Sequence, residues 1–174
     1  MAKPKTKYEW KPWQRREGSS EGFAQIHHDR LDSPAFHDLT AAQKVLYVYC
    51  VRESHGAAMK ALSGIDERLF YMNRGLWAST HKLYSRNSDR SFNRDMAALI
   101  DHGFVDCVRP SYKMGMKNLY SLSWRWGVWG TDAFEVPEKY KTTWMKRRDM
   151  KKKQAAVEEQ ATEKRRDKNS EQEE

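Results

Sequence analysis

The chain has 174 residues, a formal net charge of +8 and 39% hydrophobic residues, which fits one domain with extensions rather than two full domains. No apolar run approaches the length that spans a bilayer, and no signal-peptide core follows the first lysines, so a cytoplasmic protein with no membrane partner is expected. Cys50 and Cys107 are the only cysteines, each in an apolar periodic segment, and read as small buried thiols in a reducing compartment.

The position of the charge decides more than its sum. Residues 1–16 hold six Lys/Arg against one acid and residues 139–174 hold twelve against eight, so that 17–138 is left with fourteen against fifteen. Within that near-neutral middle, residues 82–125 carry eight cations and four acids, whereas 17–81 carry six and eight. One side of the domain is therefore cationic, which points to a polyanion partner more sharply than the total does.

Residues 1–22 form a basic arm with little to bury, expected to be disordered or loosely docked. Its Lys, Arg, Trp10 and Trp13 interleave in a way that suits either base stacking or packing on the domain. Phe23, Ile26, Leu31, Phe36 and Leu39 then serve as apolar anchors; the adjacent His27 and His28 point different ways and lack a second pair at zinc spacing. Thr40 caps a predicted helix from Ala41 to about Glu53, with Ala42, Val45, Leu46, Tyr49 and Cys50 inward and Lys44, Val48 and Arg52 outward. A short helical turn is expected between Gly56 and Gly64, and a strand over Leu69 to Met72 that would pair with a later hairpin.

The stretch from Asn73 to Trp124 organises the rest. Arg74 to Tyr84 reads as a helix capped by Asn73 and burying Leu76, Thr80, Leu83 and Tyr84. Ser85 to Ser88 is a polar connection of helix-turn-helix length. In the next helix Phe92, Met96, Leu99 and Ile100 make one apolar stripe at the 3.6-residue period, with Asn87 or Ser88 as side-chain cap and His102-Gly103 as stop. The opposite face collects Asn87, Arg90, Arg94, Ala97, Ala98 and Asp101, with Ser91 at its edge. Amide, hydroxyl and guanidinium donors of this kind read base edges in the major groove. Phe104 to Val108 and Leu119 to Trp124 alternate as strands, joined by a turn with Pro110, Gly115, Arg109, Lys113 and Lys117. Helix, turn, helix and a hairpin with a basic tip is the winged-helix order, and an α+β winged helix-turn-helix with a small antiparallel sheet is the expected fold.

Trp124, Trp126 and Trp129 fall within six residues and read as a closing strand over the core or as a stacking platform; Arg125 is then an outward cation or the partner of a core-edge acid. Past Pro137 the composition favours a helix without an apolar heptad, expected to be solvated and to fray toward Glu174. The domain is accordingly set at 23–137 and the charged tail at 138–174, with both arms dispensable for folding. Residues 146–153 of the tail supply nonspecific phosphate contacts or only solubility.

The segments LDSPAFHDLTAAQKVLYVYC, SFNRDMAALIDHGFVD and NLYSLSWRWGVWGTDAFEVP resemble a family of small winged-helix proteins of bacterial plasmids, phages and integrative elements. The resemblance spans roughly residues 23–137 and implies duplex-DNA binding, with Arg86, Asn87, Ser88, Arg90, Ser91 and Arg94 toward the groove. Trp77 and Tyr84 depart from it by making the first helix of the pair bulkier. For the hairpin, Lys113, Lys117 and Asn118 are the candidate contacts to phosphate or minor groove.

No catalytic spacing stands out, neither a glycine phosphate loop, a nucleophile elbow nor a paired Cys-x-x-Cys, so no enzyme, cofactor, metal or small-molecule ligand is expected. Two functions remain: a sequence-specific double-stranded DNA binder acting as regulator or origin-binding replication factor, or a winged-helix protein-interaction module. A homodimer held by the C-terminal helix is compatible with either.

Overall fold

A computed structural model describes residues 24–54, 69–112 and 116–170, with side chains to residue 162. The basic arm, the turn expected between Gly56 and Gly64, and Lys113 lie outside the described residues. The described elements make an α+β body in the order α1 (His28–Leu31), α2 (Pro34–Asp38), α3 (Ala41–Ser54), β1 (Leu69–Tyr71), a wide helical turn (Gly75–Thr80), α4 (Asp89–Asp101), β2 (Val105–Arg109), β3 (Leu119–Leu122), two single-turn 3₁₀ segments (Arg125–Val128 and Glu138–Tyr140) and α5 (Thr143–Ser170). None of the described helices is long and apolar enough to cross a membrane.

The sheet is antiparallel with strand order β1-β3-β2, so the early strand does pair with the hairpin. Phe70 lies opposite Tyr120, and their stacked rings, with centroids 5.7 Å apart, fix that register on the buried face. Leu99, Ile100, Met96 and Phe92 of α4 are all buried, as their spacing requires. The helix stops at Gly103, whose φ of +76° suits glycine. There Phe104 N–H donates to Leu99 O (2.9 Å) and Gly103 N–H to Ile100 O (3.0 Å), the paired bonds that satisfy a helix's last carbonyls. A Cβ on Gly103 would also stand 2.6 Å from the Trp126 backbone nitrogen, so the same glycine admits the chain that closes over the core.

Several local expectations change. Thr40 caps α3 reciprocally with Gln43, but Tyr47 and Val51 turn inward in place of Ala42 and Val45, the latter 47% exposed. The cause is a polar and aromatic layer on that side. Buried Arg30 donates to the Tyr47 hydroxyl (2.6 Å), and Phe104 packs on the Tyr47 ring at 5.0 Å. Burial pushes the Tyr47 phenol up to about 12 against the opposing pull of Arg30, so it remains a neutral acceptor.

Upstream of α4 the expected helix shrinks to the turn at 75–80. Asn73 does cap it, accepting from Leu76 N–H (3.3 Å), but His81 N–H reaches back five residues to Leu76 O, and Lys82 takes a left-handed φ of +52° that ends it. Trp77 supplies the burial assigned to Thr80, stacking on Phe92 at 4.9 Å while Thr80 stays exposed. A ring that large cannot share a tight helical face with Tyr84, which meets it edge-on at 5.7 Å from the following loop.

After β3 the chain turns in a 3₁₀ segment instead of continuing as a strand to Trp124. Arg125 takes the second of its two expected roles: it pairs with Asp106 of β2 and donates to Glu135 O (2.9 Å). Trp126 and Trp129 pack against the core, whereas Trp124 is 68% exposed.

Candidate nucleic-acid interface

The N-terminal half of α4 and the turn before it carry the donors singled out by the sequence. Arg90 and Arg94 are exposed and Ser91 is half-buried on the side of α4 away from the Phe92–Ile100 stripe, and Arg86 and Asn87 are exposed in the turn before it. Ser88 occupies the position before the first helical residue, but neither it nor Asn87 caps the helix by side chain. The Ser88 hydroxyl instead shares a hydrogen bond with Ser85 (2.6 Å), which stiffens the turn. Ser88 is thereby a turn-former, with its side chain already engaged. Asp89 serves the helix start, complementing the dipole and pairing with Arg74.

Arg94 is tethered. Its Nε donates to Asp95 (3.1 Å) while its side chain stays 67% exposed, so the remaining guanidinium donors face outward. Asp95, missed by the sequence reading, is 2% exposed and also accepts from the Tyr84 hydroxyl (3.0 Å) and from Gln43 Nε2 (3.4 Å). One buried carboxylate thus joins α4 to α3 and to the preceding loop, and holds Arg94 at a fixed place. Burial first, then the neighbouring Asp95 charge, pushes the Tyr84 phenol well above its ordinary value. The hydrogen bond to Asp95 raises Arg94, so its guanidinium stays charged.

The exposed face is narrower than its helical spacing implied. Ala97 is 1% exposed, and Asp101 pairs with Arg148 of α5 at 3.2 Å. The start of α5 is responsible for that pairing, and this alters the view of 138–174 as a solvated tail. Met145 is fully buried in the core and Trp144 packs against it. Thr142 caps the first turn by accepting from Met145 N–H (3.2 Å), and Thr143 donates to Ser111 O (2.7 Å) at the base of the hairpin. Asp149 accepts from Lys141 (2.9 Å) and Arg148 (3.0 Å); burial works to raise its pKa, but these bonds win and hold it below the usual carboxylate value. The packed body therefore runs past Pro137 to about Asp149, and the free helix begins after it.

This anchoring places α5 beside α4 across a cleft of about 590 Å³ lined by Arg90, Trp144, Arg147, Arg148, Lys151 and Lys152. The five α5 positions fall at i, i+3, i+4, i+7 and i+8, one face of a helix. Among the described residues only Arg148 of these five cations has a carboxylate at ion-pair distance. Like charges gathered without counter-charges repel one another in the free protein and attract an anion. A search for apolar heptads passes over this stripe; the same spacing test applied to cations finds it.

On the other side of α4 lies a second cleft of about 370 Å³, where Asn73, Arg74, Asp89, Asn93, Lys117 and Asn118 are among the lining residues. Lys117 is exposed there. Asn118 is not available as expected: its carbonyl accepts from Ser111 N–H (2.6 Å) and its amide donates to the buried Tyr120 hydroxyl (2.9 Å). Its work is to hold the hairpin ends together.

Elsewhere, burial pushes the Cys107 thiol up to about 12 and the Cys50 thiol higher still, leaving neither as a thiolate nucleophile. The chain matches no family model, no curated protein and no solved structure.

Proposed function

We propose that the chain is a winged-helix, sequence-specific double-stranded DNA-binding protein of a mobile element, acting as a transcriptional regulator or an origin-binding replication factor. One observation supports the reading: Arg90, Ser91 and Arg94 lie on the outward side of a helix whose other side is the domain core, with Arg86 and Asn87 exposed in the turn that leads into it. Arginine reads guanine in two places at once and asparagine does the same for adenine, and each such pair contributes ~1–3 kcal/mol of discrimination. The element order and the three-stranded sheet are compatible with this fold, and the family resemblance of the sequence motifs supplies the link to mobile elements.

Selection of bound duplexes from a random library tests the reading. Enrichment of a defined motif is the expected result. A protein that retains duplexes without enriching any sequence would contradict specific reading. The motif's genomic place, promoter or origin, then separates regulator from replication factor. The second reading, a winged-helix interaction module, draws on Trp124, an exposed indole (68%) stacked on buried Arg30 at 4.5 Å.

A further inference from the structure

We propose that α5 is a phosphate clamp, a fixed second arm of the interface that grips the backbone of the same duplex read by α4. The proposal rests on the DNA-binding reading above and adds to it a site, a partner chemistry and a geometry. Arg147, Lys151 and Lys152 share the cleft with Arg90 of α4, and none of these four has a carboxylate partner among the described residues. Lys152 lies five residue steps along the helix from Arg147, a rise of about 7.5 Å. The cations therefore form a compact patch rather than a diffuse cloud.

What makes the patch a site is its anchoring. Met145, fully buried, and the Arg148–Asp101 and Thr143–Ser111 contacts hold the first turns of α5, so the side chains that follow project at a set distance from Arg90. Phosphodiesters are the occupant that fits. The lining is five cations beside an apolar Trp144 wall with no amide, hydroxyl or carboxylate side chain among them, and cation contacts to phosphate fix register without carrying sequence. An anchored cation patch adjoining the reading helix orients a duplex, whereas a solvated tail of the same charge only raises the encounter rate.

The stripe supplies its own control. Lys153 carries the same charge as Lys151 but lies about 200° round the helix, on the far side from the cleft. Both lysines are exposed, so alanine at either leaves folding intact. The experiment is a salt titration of binding to a 30-base-pair duplex of random sequence by the full chain, Lys151→Ala and Lys153→Ala, with Arg90→Ala in parallel. Lys151→Ala is expected to reduce the slope of log affinity against log salt by about 0.9 and to weaken binding roughly eightfold at 0.1 M salt, the counter-ion release of one phosphate contact. Lys153→Ala is expected to change neither.

Equal losses from the two lysines would overturn the clamp in favour of diffuse tail charge. No loss from either, with Arg90→Ala still weakening binding, would overturn it while leaving α4 as the interface. A full chain that binds no duplex would sink the DNA-binding reading itself, and the clamp with it.

Discussion

The two flanks of α4 carry similar residues and put them to different use. On the hairpin flank, Asn118 spends its amide on Ser111 and Tyr120, and Arg74 is neutralised by Asp89. On the α5 flank, Arg90, Arg147, Lys151 and Lys152 line a cleft with no carboxylate partner among the described residues. Both flanks look basic and polar in sequence. The difference teaches that a donor's availability, more than its type, marks a candidate interface: a donor that already has its acceptor within the fold is committed to it, and an exposed cation without a counter-charge is open to an anion.

Cutting the chain breaks the comparison most severely, because the α5 flank is anchored through the core. A chain ending after Glu138 loses buried Met145 and the Thr143 and Arg148 contacts. Truncating a buried methionine alone costs ~2–5 kcal/mol, so its thermal midpoint is expected to fall by on the order of 10 °C. A chain ending after Lys153 keeps the anchor and the clamp and is expected to melt with the full protein. Equal midpoints for the two truncations, measured by calorimetry, would mean that α5 does not pack as described.

Single substitutions on the hairpin flank sharpen the contrast. Asn118→Ala strips the Tyr120 hydroxyl of its partner in a buried site and is expected to cost about 1–3 kcal/mol of stability. Lys117→Ala, exposed, is expected to shift stability by less than about 0.5 kcal/mol and to lower the salt slope by about 0.9 if it meets a phosphate. Denaturant unfolding and salt titration of both variants separate the roles; a DNA defect in Asn118→Ala at unchanged stability would reverse the assignment.

The apolar periodicities were legible in the sequence. The α4 stripe, its Gly103 stop and the hairpin strands follow from spacing and turn chemistry that act locally, and the pairing of β1 with the hairpin from the order of the elements. What escaped depended on partners distant in sequence. Tyr47 turns inward because Arg30 and Phe104 wait there, and Ala97 is buried despite lying opposite the stripe. Asp95 has no mark in the sequence, because Tyr84 and Gln43 reach it only in the folded chain. The anchoring of the tail left no mark because Trp144 and Met145 are adjacent apolar residues at the head of a charged run, and one adjacent pair gives no period to detect. Of the candidate contacts, Arg86, Asn87, Arg90, Arg94 and Lys117 are exposed and Ser91 is half-buried, whereas Ser88 and Asn118 have internal work; Lys113 lies outside the described residues.

The central claim is that the outward face of α4 reads base sequence, and Arg90 and Arg94 test it most directly. Binding of the full chain, Arg90→Ala and Arg94→Ala should be measured on a selected duplex and on one of random sequence, with thermal unfolding as control. The expected result is a roughly 5- to 150-fold loss on the selected duplex from each variant, a smaller loss on the random one, and little change in unfolding because both side chains are exposed. Equal losses on the two duplexes would reduce both arginines to phosphate contacts, and no loss on either would remove α4 as the reading helix.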